Sequence, residues 1–358
     1  MTPQTLQARI KGGEPLHNLD LRALQLPSGD YAGAVFVNCD LRGLDFGGVD
    51  LRDSRFSLCR LQDAVFSGAA LDECVFDQCD AGGARLHGLV ARQMTWSGGS
   101  LRGADMGQAQ LDFCHFTQTD LAGITLAHAD LRNHVTFTDC QMTDADLSGT
   151  VQKGTLYYRI DLTRARIVGA DWEGVVCVES DLSGHDFAGQ RLERCQIHGC
   201  NLDRCDFSDA KLGQSGFKGA SLRGADLSRA QAPRCLFVAA DLRDVRGMGI
   251  HAPQSLWVDA LLDGTDLSGA DLTQAILHRA RCARASFARA ELEYTDFSYA
   301  DLSDADFRGS RFARTQMHRA LIPGTRFDSR AGLLENDPQL FEAERWSAAR
   351  PAAPRAGY

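Results

Sequence analysis

Ala225-Asp226-Leu227-Ser228-Arg229 and Ala270-Asp271-Leu272-Thr273-Gln274 are two copies of one unit: a small residue, Asp, a large apolar residue, then two free positions. Working outward, the large apolar residue, position i, recurs at a step of five through Leu16, Leu21, Leu26, Tyr31, Phe36 and Leu41 to Leu131. After a slip of one residue it resumes at Phe137 and runs on to Phe327. All twelve cysteines obey the same step, ten at i−2 and two, Cys177 and Cys282, at i. A small thiol standing in for Ala at a packed position is ordinary behaviour for a free cysteine. With no CxxC pair and no Cys/His cluster at zinc spacing, neither a disulfide frame nor a metal site is expected.

A five-residue step with two inward positions suits neither the stripe of an α-helix nor a simple alternating strand. It suits a chain that turns a corner once per unit, giving an all-β fold. A second period sets the size of the coil: Phe36, Phe56, Phe76, Trp96 and Phe116 are twenty residues apart and all aromatic, while Leu41, Leu61, Leu101 and Leu121 fill the next column. Four units therefore complete one turn. At strand spacing, about fifteen coils make a rod about 70 Å long.

The unit resembles that of the pentapeptide-repeat family over most of the chain, and this resemblance implies a right-handed quadrilateral β-helix. Repeat rods need covered ends. Residues 1–14 are expected to form the N-terminal cap, with Thr2-Pro3 starting a short helix that carries Leu6 and Ile10 and stops at Gly12-Gly13. The helix proper is expected over 15–328, with the register slip near 132–136 and irregular coils near 150–156 and 245–254, where Gln152 and Gly247 take inward positions. Such breaks are places where loops would project. A C-terminal capping segment is expected over 329–346, helical through Leu333, Leu334, Leu340 and Phe341 but broken at Pro338, followed by a flexible tail over 347–358.

The 358 residues carry a net charge of −9, so the basic footprint of a general nucleic-acid binder is missing. No stretch has the length and apolarity of a membrane span, and the start lacks a signal-peptide core, so a cytoplasmic location is expected. No phosphate loop, nucleophile elbow or zinc-protease motif occurs, and the Asp residues at i−1 are explained by turns at an outer surface. No catalytic residue, cofactor or metal is therefore expected. His185, with Ser180 and Gln190 in neighbouring inward positions, suggests a polar patch or water in the lumen. Arg52, Asp72, Arg92, Asp112 and Arg132 recur every twenty residues as an alternating ladder.

The feature that points to function is apolar residues where the repeat faces outward: Leu156, Tyr158, Val176, Val178, Leu236, Val238, Leu256, Val258 and Ile276, interrupted by Gln196, His198, Gly216 and Lys218. Soluble proteins seldom expose contiguous apolar patches without a partner. A non-enzymatic protein-interaction scaffold or adaptor is expected, with oligomerisation through the termini as an additional route. The opening TPQTLQARIKGGEPLHNLDL resembles pentapeptide-repeat proteins associated with bacterial type VI secretion, and this implies a secreted effector, spike or companion adaptor as partner. The alternative implied by the family is a DNA-mimicking topoisomerase-binding protein.

Overall fold

The computed structural model describes residues 1–348. Parallel bridges join residues twenty apart from one end of the rod to the other, so four five-residue units make each turn and about sixteen turns stack into a solenoid. We number the faces by their inward residues. Face 1 holds Leu16, Phe36 and every twentieth residue after them, face 2 starts at Leu21, face 3 at Leu26 and face 4 at Tyr31.

Through most of the rod the inward positions are sealed, the partly buried ones including His185, Gln190 and residues of the end coils such as Leu26, Phe312 and Phe327. Leu, Phe and Ala at i and i−2 are almost all within two per cent of complete burial. Aromatic rings stack coil on coil, as in Phe36–Phe56–Phe76–Trp96 with centroids 5.0, 4.8 and 4.2 Å apart. All twelve cysteines are free and buried. Burial pushes the Cys74 thiol up to about 12 and Cys200 to about 11, so both remain thiols rather than nucleophilic thiolates.

The backbone is not uniform. Along face 1, short strands pair in parallel from Leu16–His17 to Gln196–His198, and face 4 does the same from Val90–Arg92 to Leu192–Glu193. From residue 200 to 310 the same ladder continues as isolated bridges separated by two-residue turns. The corner after face 1 shows why. In the second half its last residue is always Ala, and the amides of Ala220, Ala240, Ala260, Ala280 and Ala300 close a turn onto the carbonyl three residues back at 3.0–3.1 Å. In the first half the same place holds Cys39, Cys59, Cys79, Gly99, Thr119, Cys140, Ile160, Ser180 and Cys200. There the turn stays open, and at all but Gly99 and Ile160 the side chain bonds the backbone instead, as Cys59 Sγ does to the carbonyls of Phe36 at 3.5 Å and Ser57 at 3.4 Å.

The slip is one inserted residue. Gln110 pairs with Asp130 at a spacing of twenty, but His115 pairs with Thr136 and Asp130 with Val151 at twenty-one. Asn133 and His134 absorb it, both in the left-handed region at φ 59° and 62°, which Asn tolerates and His adopts less readily. The two coils expected to be irregular send out no loops. Gln152 points inward, donating from Nε2 to Thr150 Oγ1 at 2.9 Å and accepting from the Tyr157 hydroxyl at 3.0 Å, so a buried polar trio replaces an apolar residue. At Gly247 the ladder is unbroken, and Leu267 fills the space, its Cδ2 2.8 Å from where a Cβ would stand. The expected lumenal patch also dissolves: Ser180 is bound to backbone, His185 Nε2 meets the Leu162 carbonyl at 2.7 Å, and Gln190 donates to the Asp186 carbonyl at 2.8 Å.

The ends differ. Helix α1 (Pro3–Lys11), capped by Thr2, lays Leu6 and Ile10 over the first coil, leaving them 1% and 5% exposed. At the other end Leu333–Leu334 is a strand paired with Thr315–Gln316, not part of a helix. Helix α2 (Pro338–Ala348) starts at Pro338 rather than breaking there, because a first-turn proline has no amide to leave unpaired and Asp337 Oδ1 accepts from the Leu340 amide at 3.0 Å. Ser347 and Ala348, expected in the tail, belong to α2; the remainder of that tail, 349–358, lies outside the described residues. The buried His318 ring holds α2 to the rod, its Nδ1 accepting from the Asp337 amide at 3.1 Å and its Nε2 3.3 Å from Glu344.

Candidate protein-binding face

All nine outward apolar residues singled out in the sequence stand on face 1. Leu156 pairs with Val176 and Tyr158 with Val178. Leu236 bridges Leu256, which bridges Ile276, with Val238 and Val258 two residues further along the same strands. Between the two groups lie the coils of Gln196, His198, Gly216 and Lys218, so the structure keeps the interruption. Leu236 and Ile276 are each 36% exposed and the other seven half-buried, because every side chain leans on the coil above and below. Larger exposures occur elsewhere, 65% at Val168 and 60% at Val90 as single residues, and as a small group at the C-terminal end, where Leu334, Leu340, Phe341 and Trp346 are exposed. What sets face 1 apart is that its apolar residues stack on successive coils of one flat face, in two groups.

Sequence reasoning missed the reach of this face. Its outward columns continue toward α1 through Thr138, Thr136, Thr117, Ser97, Thr95, Val75, Val37 and Val35, interrupted by few charges, chiefly Arg55 and Asp77. Laying the outward residues out by column, rather than looking for apolar ones alone, would have shown it. The strands on this face are rich in Val and Thr flanking an aromatic, the composition that suits a pleated surface.

Charge is pushed to the corners and to the other faces. Beyond face 1, Arg159 Nε meets Glu179 Oε2 at 3.0 Å with its guanidinium 4.7 Å over the Tyr158 ring, and Arg279 Nε meets Asp259 Oδ1 at 2.7 Å. The hydrogen-bonded Arg279 guanidinium holds the Asp259 carboxyl below its ordinary range. On face 4 the expected ladder is only partly joined: Asp72 accepts from the Arg92 amide at 2.8 Å and Asp112 from Arg92 Nε at 2.9 Å. Arg52 and Arg132 turn back instead to Asp50 and Asp130, two residues away, which lie nearer than the next coil's carboxylate.

An open groove of about 420 Å³ runs over this ladder, lined by Asp72, Arg92, Asp112, Asp130 and Arg132 among others. Its carboxylates are matched by guanidinium groups and it has no enclosing wall. Among the described residues no group of three His, Cys, Asp or Glu side chains could hold a metal ion, and no helix is long and apolar enough to cross a membrane.

The family model for pentapeptide repeats matches eight stretches between residues 28 and 322, together more than half of the chain. No curated protein sequence matches the chain. Among solved structures it is similar to HetL, a pentapeptide repeat protein involved in heterocyst differentiation regulation from the cyanobacterium Nostoc sp. strain PCC 7120, with 24% identity over 80% of this chain and 96% of that one and a TM-score of 0.24. It is also similar to full-length QnrB1, a plasmid-mediated fluoroquinolone resistance protein, with 13% identity over 72% of this chain and 100% of that one and a TM-score of 0.22. At these scores neither likeness carries an argument about function.

Proposed function

This chain belongs to the pentapeptide-repeat family, and from that premise we propose that it is a non-enzymatic scaffold that binds protein through face 1. The observation that carries the reading is the stacking of mostly uncharged and apolar side chains, in two groups with few charges among them, on one flat face of a rod whose other faces are studded with Asp and Arg. A sealed lumen leaves the surface as the working part of the molecule. The resemblance of the opening stretch, which forms the Thr2-capped α1, supports a place in type VI secretion, with an effector, the spike tip or a companion adaptor as client.

One observation favours the DNA-mimicking, topoisomerase-binding alternative: Asp186, Asp206 and Asp226 stack as a column on face 3. Arg246 ends that column at the next coil and Arg166 stands one coil before it, which limits the acidic surface to a short patch.

Affinity capture from a lysate of the source organism, with a Val238→Asp/Val258→Asp variant beside the wild type, tests the proposal. Recovery of secretion components by the wild type alone is the expected result. Equal recovery by the variant would overturn the assignment of the face, and recovery of a topoisomerase would favour the alternative.

A further inference from the structure

The outward pattern of face 1 is close to palindromic. Its centre lies between the coils of Ile197 and Phe217, the two that interrupt the apolar run. One coil out on either side stand Val176/Val178 and Leu236/Val238, and two coils out stand Leu156/Tyr158 and Leu256/Val258. The corner beside this face repeats the arrangement in charge. Reading along the rod it runs Asp139, Arg159, Glu179, then Gly199, Gly219 and Ala239, then Asp259 and Arg279. Reversed and laid against itself, that series sets Arg159 opposite Asp259 and Asp139 opposite Arg279, with no like charges facing each other.

We propose that the protein seated on face 1 is a second copy of this chain, packed face to face with the rods antiparallel about a two-fold axis between those central coils. The inference rests on the reading of face 1 as a protein-binding surface and specifies what occupies it in the absence of a client; a client for face 1 would then compete with the second copy. A two-fold lying along the strand direction inverts the order of coils while keeping each position along the strand, so i−1 meets i−1 and the corner residue meets the corner residue. This self-complementarity is what an isologous contact requires. The ten coils from Phe116 to Phe297 span about 48 Å, and three extended residues about 10 Å, so the two copies would cover about 1,000 Å² of projected surface between them. That is at the lower edge for a specific interface, and a dimer in concentration-dependent exchange follows.

Sedimentation velocity on the full chain over a concentration series is the first test, with a photo-cross-linking residue in place of Val176 as the second. A reversible dimer is expected, with cross-links from position 176 to the peptide around Leu236 of the second copy. Val238→Asp should shift the equilibrium at least tenfold toward monomer with an unchanged circular dichroism spectrum. Arg159→Asp and Asp259→Arg should each weaken association several-fold, and the double exchange should recover most of it, a result that misfolding cannot mimic. A chain that stays monomeric at about 100 µM, a dimer indifferent to Val238→Asp, or cross-links to position 178 or to the termini would overturn the proposal. If the wild type is monomeric while Val238→Asp/Val258→Asp still abolishes capture from lysate, face 1 keeps its protein-binding role and only the second copy is ruled out.

Discussion

The halves of the rod solve the same corner in different ways. Up to about residue 199, the corner after face 1 stays open, carrying a thiol, hydroxyl or branched side chain at every coil but that of Gly99, and the chain extends into short strands; from Phe217 onward Ala stands at the corner and the backbone closes its own turn. Intermediate cases grade between the two. Where Cys74 or Cys235 ends a turn that does close, the bond lengthens to 3.2 and 3.3 Å, against 3.0–3.1 Å for the Ala corners of face 1. At the corner after face 1, the change of that inward residue goes with the change in local secondary structure, without altering the coil count.

The largest expected effects fall inside the aromatic columns that both halves share. Phe56→Ala, between Phe36 and Phe76, and Phe237→Ala, between Phe217 and Trp257, should each cost about 3–5 kcal/mol, read by denaturant unfolding. A clear difference between the two would show that the open and closed corners tolerate a cavity differently.

The corner itself is tested by exchange. Ala240→Ile overpacks a closed corner and should cost about 1–3 kcal/mol while speeding amide hydrogen exchange at residue 240, whose bond to the Phe237 carbonyl it strains. The reverse change, Cys59→Ala, should slow exchange at residue 59 by allowing its turn to close, and should cost no more than about 1 kcal/mol. Unchanged exchange in both variants would remove side-chain bulk as the cause.

Tyr157→Phe strips the donor from Gln152 Oε1 and should cost about 1–2 kcal/mol by leaving a buried carbonyl unpaired, while adding Gln152→Leu should recover most of it. The smallest effect is set by pH. Hydrogen bonding to Arg308 holds the Asp306 carboxyl down to about 2. Its folded value is lowered, so its contribution is present above about pH 4 and is lost as pH falls toward 2. Melting curves of Asp306→Asn should accordingly be flatter across that window than those of the wild type.

The five-residue step, the coil of four and the face carrying Leu156 through Ile276 were legible because each depends on the spacing of large side chains, which the sequence displays directly. The closure of a corner was not, since it turns on whether a residue such as Cys235 fits beneath its neighbour's carbonyl, a matter of tenths of an ångström. Gln152 looked like a break because its partners, Thr150 and Tyr157, sit at positions that need no polar residue in the other coils. Pro338 misled because proline ends a helix from within and begins one from its first turn, and only the Asp337 cap distinguishes the two.

The covered first coil has a consequence for how the molecule is made. With Leu6 and Ile10 buried against the first coil, helix α1 supplies a floor on which the next coil can be laid as soon as it has been synthesised, and each further turn needs only the one beneath it. The ribosome delivers the chain in that same order. Growth is thus vectorial, with a single unfinished edge at any moment, and a nascent rod exposes one coil's worth of sticky backbone however long it becomes.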